Sequence, residues 1–119
     1  MALIAQLIAA AVMLLHVYIF LLETVLFRSR GYKVFGLARD KVELMAPAMS
    51  NQGCYNGFLA AALLLGLVLP NAATAQAFTV FGLACVAVAG IWGALTVSRR
   101  ILFVQTVPAV LGLAALALV

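Results

Sequence analysis

The sequence predicts an all-α integral membrane protein, a four-helix up-down bundle, and three observations carry that prediction. Of 119 residues, 68% are hydrophobic and only 8% are charged, whereas soluble domains average roughly 45–50% and about 25%. The apolar residues gather into four runs, and about 20 residues suffice for one membrane-spanning helix. All seven basic residues, Arg28, Arg30, Lys33, Arg39, Lys41, Arg99 and Arg100, fall between those runs. A mean hydropathy of +1.27 leaves too little polar surface to coat a water-soluble globule. A soluble enzyme, a disordered tail and a secreted disulfide scaffold are thereby excluded. The net charge of +4 offers no solvated basic face, so no nucleic-acid partner is expected.

The first span covers 2–27, a run without glycine or proline. Its start lacks a basic residue and it exceeds the short apolar core of a signal peptide, so it reads as a retained helix. Residues 28–46 form a polar loop with five of the seven basic side chains, and Asp40 to Met45 read as a short surface helix. Pro47 suits the first turn of a second span over 47–69, because its missing N–H costs nothing there. Pro70-Asn71 stops that span, and 71–76 form an uncharged turn. A third span covers 77–98, ended by Arg99-Arg100, and a fourth covers 101–119 with a kink at Pro108. Basic loops mark the cytoplasmic side. Loops 28–46 and 99–100 are therefore expected inside, and both termini outside the plasma (inner) membrane, in a single transmembrane domain. Short loops after the second and third spans favour antiparallel packing. Gly57, Gly66, Gly82, Ala89, Gly93 and Gly112 permit close helix approach.

The polar residues inside the spans point to a site. An ionisable group in hydrocarbon costs roughly 2.5–3.5 kcal/mol or more and normally faces a bundle interior or cavity. His16 and Glu23 lie seven residues apart on one face of the first span, about 10 Å along the axis. The second span opens with Asn51-Gln52-Gly53-Cys54-Tyr55-Asn56, which places Asn51 with Tyr55 and Gln52 with Asn56 as i, i+4 pairs. Trp92 and Thr96 pair in the same way near the end of the third span, and Gln105 and Thr106 begin the fourth. All four spans thus place polar groups in one cytoplasmic layer, and the outer half holds little beyond Gln6, Thr79 and Cys85. The expectation is a polar pocket open to the cytoplasm with His16 at its floor. Plain alternatives exist for each part: His16 tying helices together, Glu23 pairing with Arg28, Arg99 or Arg100, and Trp92 in an interfacial aromatic belt. Interhelical hydrogen bonds in membranes average only about 0.6 kcal/mol, a weak structural reason for so polar a run.

These residue types suit acid/base chemistry on a small lipophilic ligand drawn from the membrane lipid phase. Glu23 would act as general acid or base, His16 would hold or relay a proton, and Tyr55 completes the catalytic set. Asn51, Gln52, Asn56 and Gln105 would orient the substrate and stabilise a developing oxyanion, with Trp92 and Thr96 as walls. An isomerase or epoxide-opening hydrolase fits better than redox chemistry. A second reading is a proton-coupled transporter of a small compound acting as a homodimer, and a third is a structural membrane subunit. No cofactor and no metal are expected. There is one histidine, no carboxylate pair, and Cys54 and Cys85 lack metal or redox spacing. A haem would have only His16 as an axial ligand, and neither a phosphate-binding glycine loop nor a serine elbow occurs.

His16 with Glu23, the stretch Asn51-Gln52-Gly53-Cys54-Tyr55-Asn56-Gly57-Phe58-Leu59-Ala60, Gly90-Ile91-Trp92-Gly93-Ala94, and Gln105 with Pro108 together resemble one family. It is the group of bacterial and fungal membrane proteins known as domain of unknown function 1304. The resemblance spans nearly the whole chain and implies a four-span protein of about this size. It implies no activity. The tryptophan associated with that family after the glutamate is absent, and Phe27 stands in its place.

Overall fold

The computed structural model describes residues 1–118, and every regular element among them is helical. Helix α1 spans Leu3–Glu23, α2 Tyr32–Val34, α3 Val42–Val68, α4 Ala72–Thr96 and α5 Val107–Ala117. Wide π turns occupy Phe27–Gly31 and Leu102–Thr106, and a 3₁₀ turn covers Arg39–Lys41.

Two helices, α1 and α4, are long and apolar enough to cross a membrane, with mean hydropathies of 2.3 and 2.1. Only 22% and 33% of their most apolar windows are buried, so both present apolar side chains outward. Helix α3 has the length, 27 residues, but its first half carries the Asn/Gln/Tyr run. The apolar helix Leu102–Ala117 is shorter, about 24 Å at 1.5 Å per residue against a hydrocarbon core of about 30 Å.

The second span stops at Val68, where Pro70-Asn71 is expected to end it, while other boundaries differ from the sequence expectation. The first helix ends at Glu23 rather than at 27; just beyond it the Phe20 carbonyl accepts both the Thr24 N–H at 3.1 Å and the Thr24 hydroxyl at 2.7 Å. The chain then widens, with the Leu26 N–H on the Leu21 carbonyl and the Gly31 N–H on the Leu26 carbonyl, five residues back in each case. Gly31 is required here, since a Cβ would collide with the Leu22 carbonyl oxygen.

The short surface helix expected before Pro47 is instead the first part of α3, which runs through Pro47 from Val42. Val42 and Ala46 lie one turn apart and are buried with Phe27 and Tyr32. Glu43 adds a favourable negative charge to the first turn. These anchors carry the helix across the hydrogen bond that Pro47 cannot donate. Gly36, at φ 72°, supplies the left-handed turn between α2 and the 3₁₀ segment.

The turn expected over 71–76 shrinks to Leu69–Asn71, because Asn71 caps α4: its Oδ1 accepts the Thr74 N–H at 2.9 Å and the Thr74 hydroxyl at 3.0 Å. Near the C-terminus, Pro108 sits in the first turn of α5, directly after the second π turn. A proline ring clashes with the carbonyl four residues back, here that of Val104, and lacks the N–H to bond it. The wider turn, closed by the Val107 N–H on the Leu102 carbonyl, takes up that misfit in place of a kinked continuous helix.

The chain divides into two compact units, Met1–Met13 with Leu59–Val119, and Leu14–Phe58. In the first, Val12, Leu63, Leu83, Val86, Ala87 and Ala109 form one core with Ile8, Met13, Leu59, Leu113 and Leu116 around it. Segments of α1, α3, α4 and α5 therefore share that core. In the second, Phe27, Tyr32, Val42 and Ala46 are buried together, flanked by Leu37, Met45 and Met49.

Candidate functional site

The polar centre of the second unit is Glu23, the last residue of α1, which is 1% exposed. Helix α3 delivers two carboxamides to it from one strip. Gln52 Nε2 donates to Glu23 Oε2 at 2.6 Å, and Asn56 Nδ2 donates to Glu23 Oε1 at 2.5 Å. The i, i+4 spacing read from the sequence is what lets two successive turns reach the two oxygens of one carboxylate. Both contacts depend on Gly53, which lies between the donors. A Cβ at Gly53 would stand 2.7 Å from Thr24 Cγ2 and 3.0 Å from Glu23 Cβ. One turn further on, a Cβ at Gly57 would come within 3.2 Å of the Phe20 ring. Gly53 and Gly57 thus form a small-xxx-small face on which α1 approaches α3 closely.

A carboxylate offers about four lone-pair positions. The two carboxamides use one position on each oxygen, which leaves acceptor capacity for a donor from a ligand or a place for a proton. No Arg or Lys pairs with Glu23 among the described residues. Arg28, one of the partners considered for it, is turned to Glu43 instead. Its Nε lies 2.8 Å from Glu43 Oε1 and its Nη2 3.3 Å from Oε2. That exposed fork holds the Glu43 carboxyl below the ordinary carboxylate range through the hydrogen bond and the guanidinium charge. It pushes Arg28 further up for the same reasons.

His16 is fully buried, two turns before Glu23 on the same helix. The structure separates the two strips of the polar run. Gln52, itself exposed, and the buried Asn56 touch Glu23, whereas Asn51 and Tyr55 are exposed away from it, with the Tyr55 ring edge-on to Phe58 at 6.1 Å. The other predicted residues belong to the other unit. Trp92 is 70% exposed, and the Thr96 hydroxyl donates back to the Trp92 carbonyl at 2.8 Å. Gln105 is half-buried in the second π turn. Its neighbour Thr106, which the sequence reading left out of the site, is the buried member: its hydroxyl donates to the Ala87 carbonyl at 2.9 Å. It lies so close to Gly90 that a Cβ there would collide with it.

Gly53 and Thr24 are the residues that sequence reasoning passed over. The signal was available, since Gly53-Cys54-Tyr55-Asn56-Gly57 is itself a small-xxx-small motif. Among the described residues no buried side-chain N or O lacks a hydrogen-bond partner, and no three His, Cys, Asp or Glu side chains gather to hold a metal. Cys54 and Cys85 are both free.

No curated protein and no solved structure matches the chain. The family model described as "Protein of unknown function (DUF1304)" matches residues 10–117, a stretch that takes in His16, Glu23, the whole polar run and Gln105. The chain belongs to that family.

Proposed function

We propose that this is a four-span membrane protein whose buried acid, Glu23, binds a small lipophilic ligand and exchanges a proton with it. The observation that carries this reading is a carboxyl group with both oxygens steadied by carboxamides and no Arg or Lys paired with it among the described residues. A carboxyl so placed has its geometry fixed before a ligand arrives, which is what proton transfer requires of an acid or base. Gln52 and Asn56 hold it in place, and His16 is the second proton-carrying group on the same helix. An isomerase that takes a proton from one ligand atom and returns it to another needs a single carboxyl of this kind. The outward-facing apolar surfaces of α1 and α4 support the membrane setting, and the basic segments 28–46 and 99–100 support a cytoplasmic side for the Glu23 end of α1.

The test is native mass spectrometry of the purified protein, with lipid extraction from the same sample, for the wild type and Glu23→Gln. Retention of a small lipophile by the wild type and its loss from a folded Glu23→Gln variant is the expected result. Equal retention by both proteins would sink the proposal. One observation favours a second reading: the close helix approach at Gly53 and Gly57 makes Glu23 a clasp between α1 and α3. A wild type without bound ligand, together with strong destabilisation of Glu23→Gln, would select the clasp.

A further inference from the structure

The stretch from Arg28 to Glu43, which leads from α1 into the first turn of α3, carries Arg28, Arg30, Lys33, Arg39 and Lys41 against Asp40 and Glu43, so five positive and two negative charges leave a net +3 within sixteen residues. Unlike a loose basic loop, this segment is folded. The π turn Phe27–Gly31 and the 3₁₀ turn Arg39–Lys41 flank the buried cluster of Phe27, Tyr32, Val42 and Ala46. That packing sets Arg28 and Arg39 on the walls of one cleft, with Tyr32, Val42 and Glu43 completing the lining. Its volume is about 190 Å³.

We propose that this cleft binds a phosphate-bearing anion, supplied as the headgroup of an anionic phospholipid. A guanidinium has five N–H donors in a rigid fork that matches phosphate oxygens. Arg28 gives two of its donors to Glu43, which fixes the orientation of the group and leaves three uncommitted. Arg39 holds no ion pair among the described residues, and all its donors are available. Two guanidiniums on one cleft bring more donors than a single carboxylate consumes. Lys33 stands over the ring of the lining residue Tyr32, with Nζ 5.8 Å from the centroid. Basic pockets next to membrane segments recognise lipid headgroups by this chemistry. The site is separate from Glu23 and does not depend on the function proposed above.

The experiment titrates the protein in detergent with phosphatidylglycerol, with phosphatidylcholine, and with inorganic phosphate alone, counting bound ligands by native mass spectrometry. Wild type, Arg39→Gln and Arg30→Gln are compared, because both variants remove one positive charge but only Arg39 lines the cleft. The expected result is preference for phosphatidylglycerol over phosphatidylcholine. Arg39→Gln should weaken that binding about tenfold or more, as loss of charge-assisted hydrogen bonds does. Arg30→Gln should weaken it only a few-fold, as loss of a surface charge does. Equal losses in the two variants would reduce the cleft to a diffuse field and overturn the proposal. So would an absence of preference between the two lipids. Binding of inorganic phosphate without lipid preference, lost in Arg39→Gln, would keep the phosphate site but overturn the lipid as its source.

Discussion

Replacing Gly53 with alanine probes the geometry that the Glu23 site rests on. The new methyl would meet Thr24 Cγ2 at 2.7 Å and Glu23 Cβ at 3.0 Å, where carbon atoms settle at roughly 3.5–4.0 Å. Thr24 cannot simply rotate away, because its hydroxyl is committed to the Phe20 carbonyl at 2.7 Å. The remaining response is for α1 to draw back from α3, which stretches the 2.6 Å and 2.5 Å bonds to Glu23. Overpacking of this kind costs about 1–3 kcal/mol. It is offset by about 1 kcal/mol because alanine favours a helix interior over glycine. The single variant alone is therefore ambiguous, with a net loss of about 0–2 kcal/mol. A double-mutant cycle with Thr24→Ser removes the ambiguity. Serine keeps the hydroxyl but lacks the offending methyl, and the propensity gain cancels around the cycle. Unfolding free energies measured in mixed micelles should then give a favourable coupling of about 1 kcal/mol or more. A coupling within about 0.5 kcal/mol of zero would refute the close approach at Gly53, and with it the clasped geometry of the site.

Asn56→Ala removes the donor to Glu23 Oε1; the same unfolding assay should show a loss of about 1 kcal/mol, between the membrane average of about 0.6 and its upper end of about 1.7. For the exposed pair, the Glu43 pKa is depressed in the folded protein, so its contribution is present above the ordinary carboxylate value of 4.5 and fades as pH falls through the lower folded value. A carboxyl-carbon NMR titration should place Glu43 below 4.5 in the wild type and nearer that value in Arg28→Gln. Asn71→Ala takes the cap from α4 and should destabilise by about 1 kcal/mol, while Asn71→Ser keeps most of the stability. In a background with Cys54 and Cys85 replaced, a cysteine introduced by Thr74→Cys should react with an impermeant thiol reagent added outside intact cells, and Ser29→Cys should not; the reverse pattern would invert the proposed topology.

The helical class and the identity of the polar residues were legible because they are one-dimensional properties. Apolar composition forces helices when the backbone must satisfy its own hydrogen bonds, and i, i+4 spacing alone placed Gln52 and Asn56 on one strip. The stop of α3 before Pro70 was legible, whereas other helix ends were not, since each is decided by one or two specific bonds. Past Glu23 the chain widens through the Leu26 N–H on the Leu21 carbonyl, and Asn71 opens α4 early by capping Thr74. Pro47 reads as a start in any local rule. It became interior only because Val42 and Ala46 find Phe27 and Tyr32, partners far away in sequence. The choice between the strips Gln52/Asn56 and Asn51/Tyr55 likewise needed a rotation of α3 that no spacing supplies.

That rotation also bears on what Glu23 is for. If its carboxyl served only to tie two helices, one carboxamide would suffice to link them at the small energy such bonds carry in membranes. Two donors from successive turns, with a glycine between them that admits the acid, fix the carboxyl plane as well as its position. Fixing a plane adds little to stability, yet it decides which directions the remaining lone pairs face, and proton transfer depends on those directions. A variant that keeps one donor but frees the plane, Gln52→Ala, therefore separates the two roles. Under the clasp reading it should cost stability of about 0.6 kcal/mol and nothing more. Under the proton-exchange reading it should lower ligand retention or turnover well beyond what that stability loss explains, with Asn56 still bonded to Oε1.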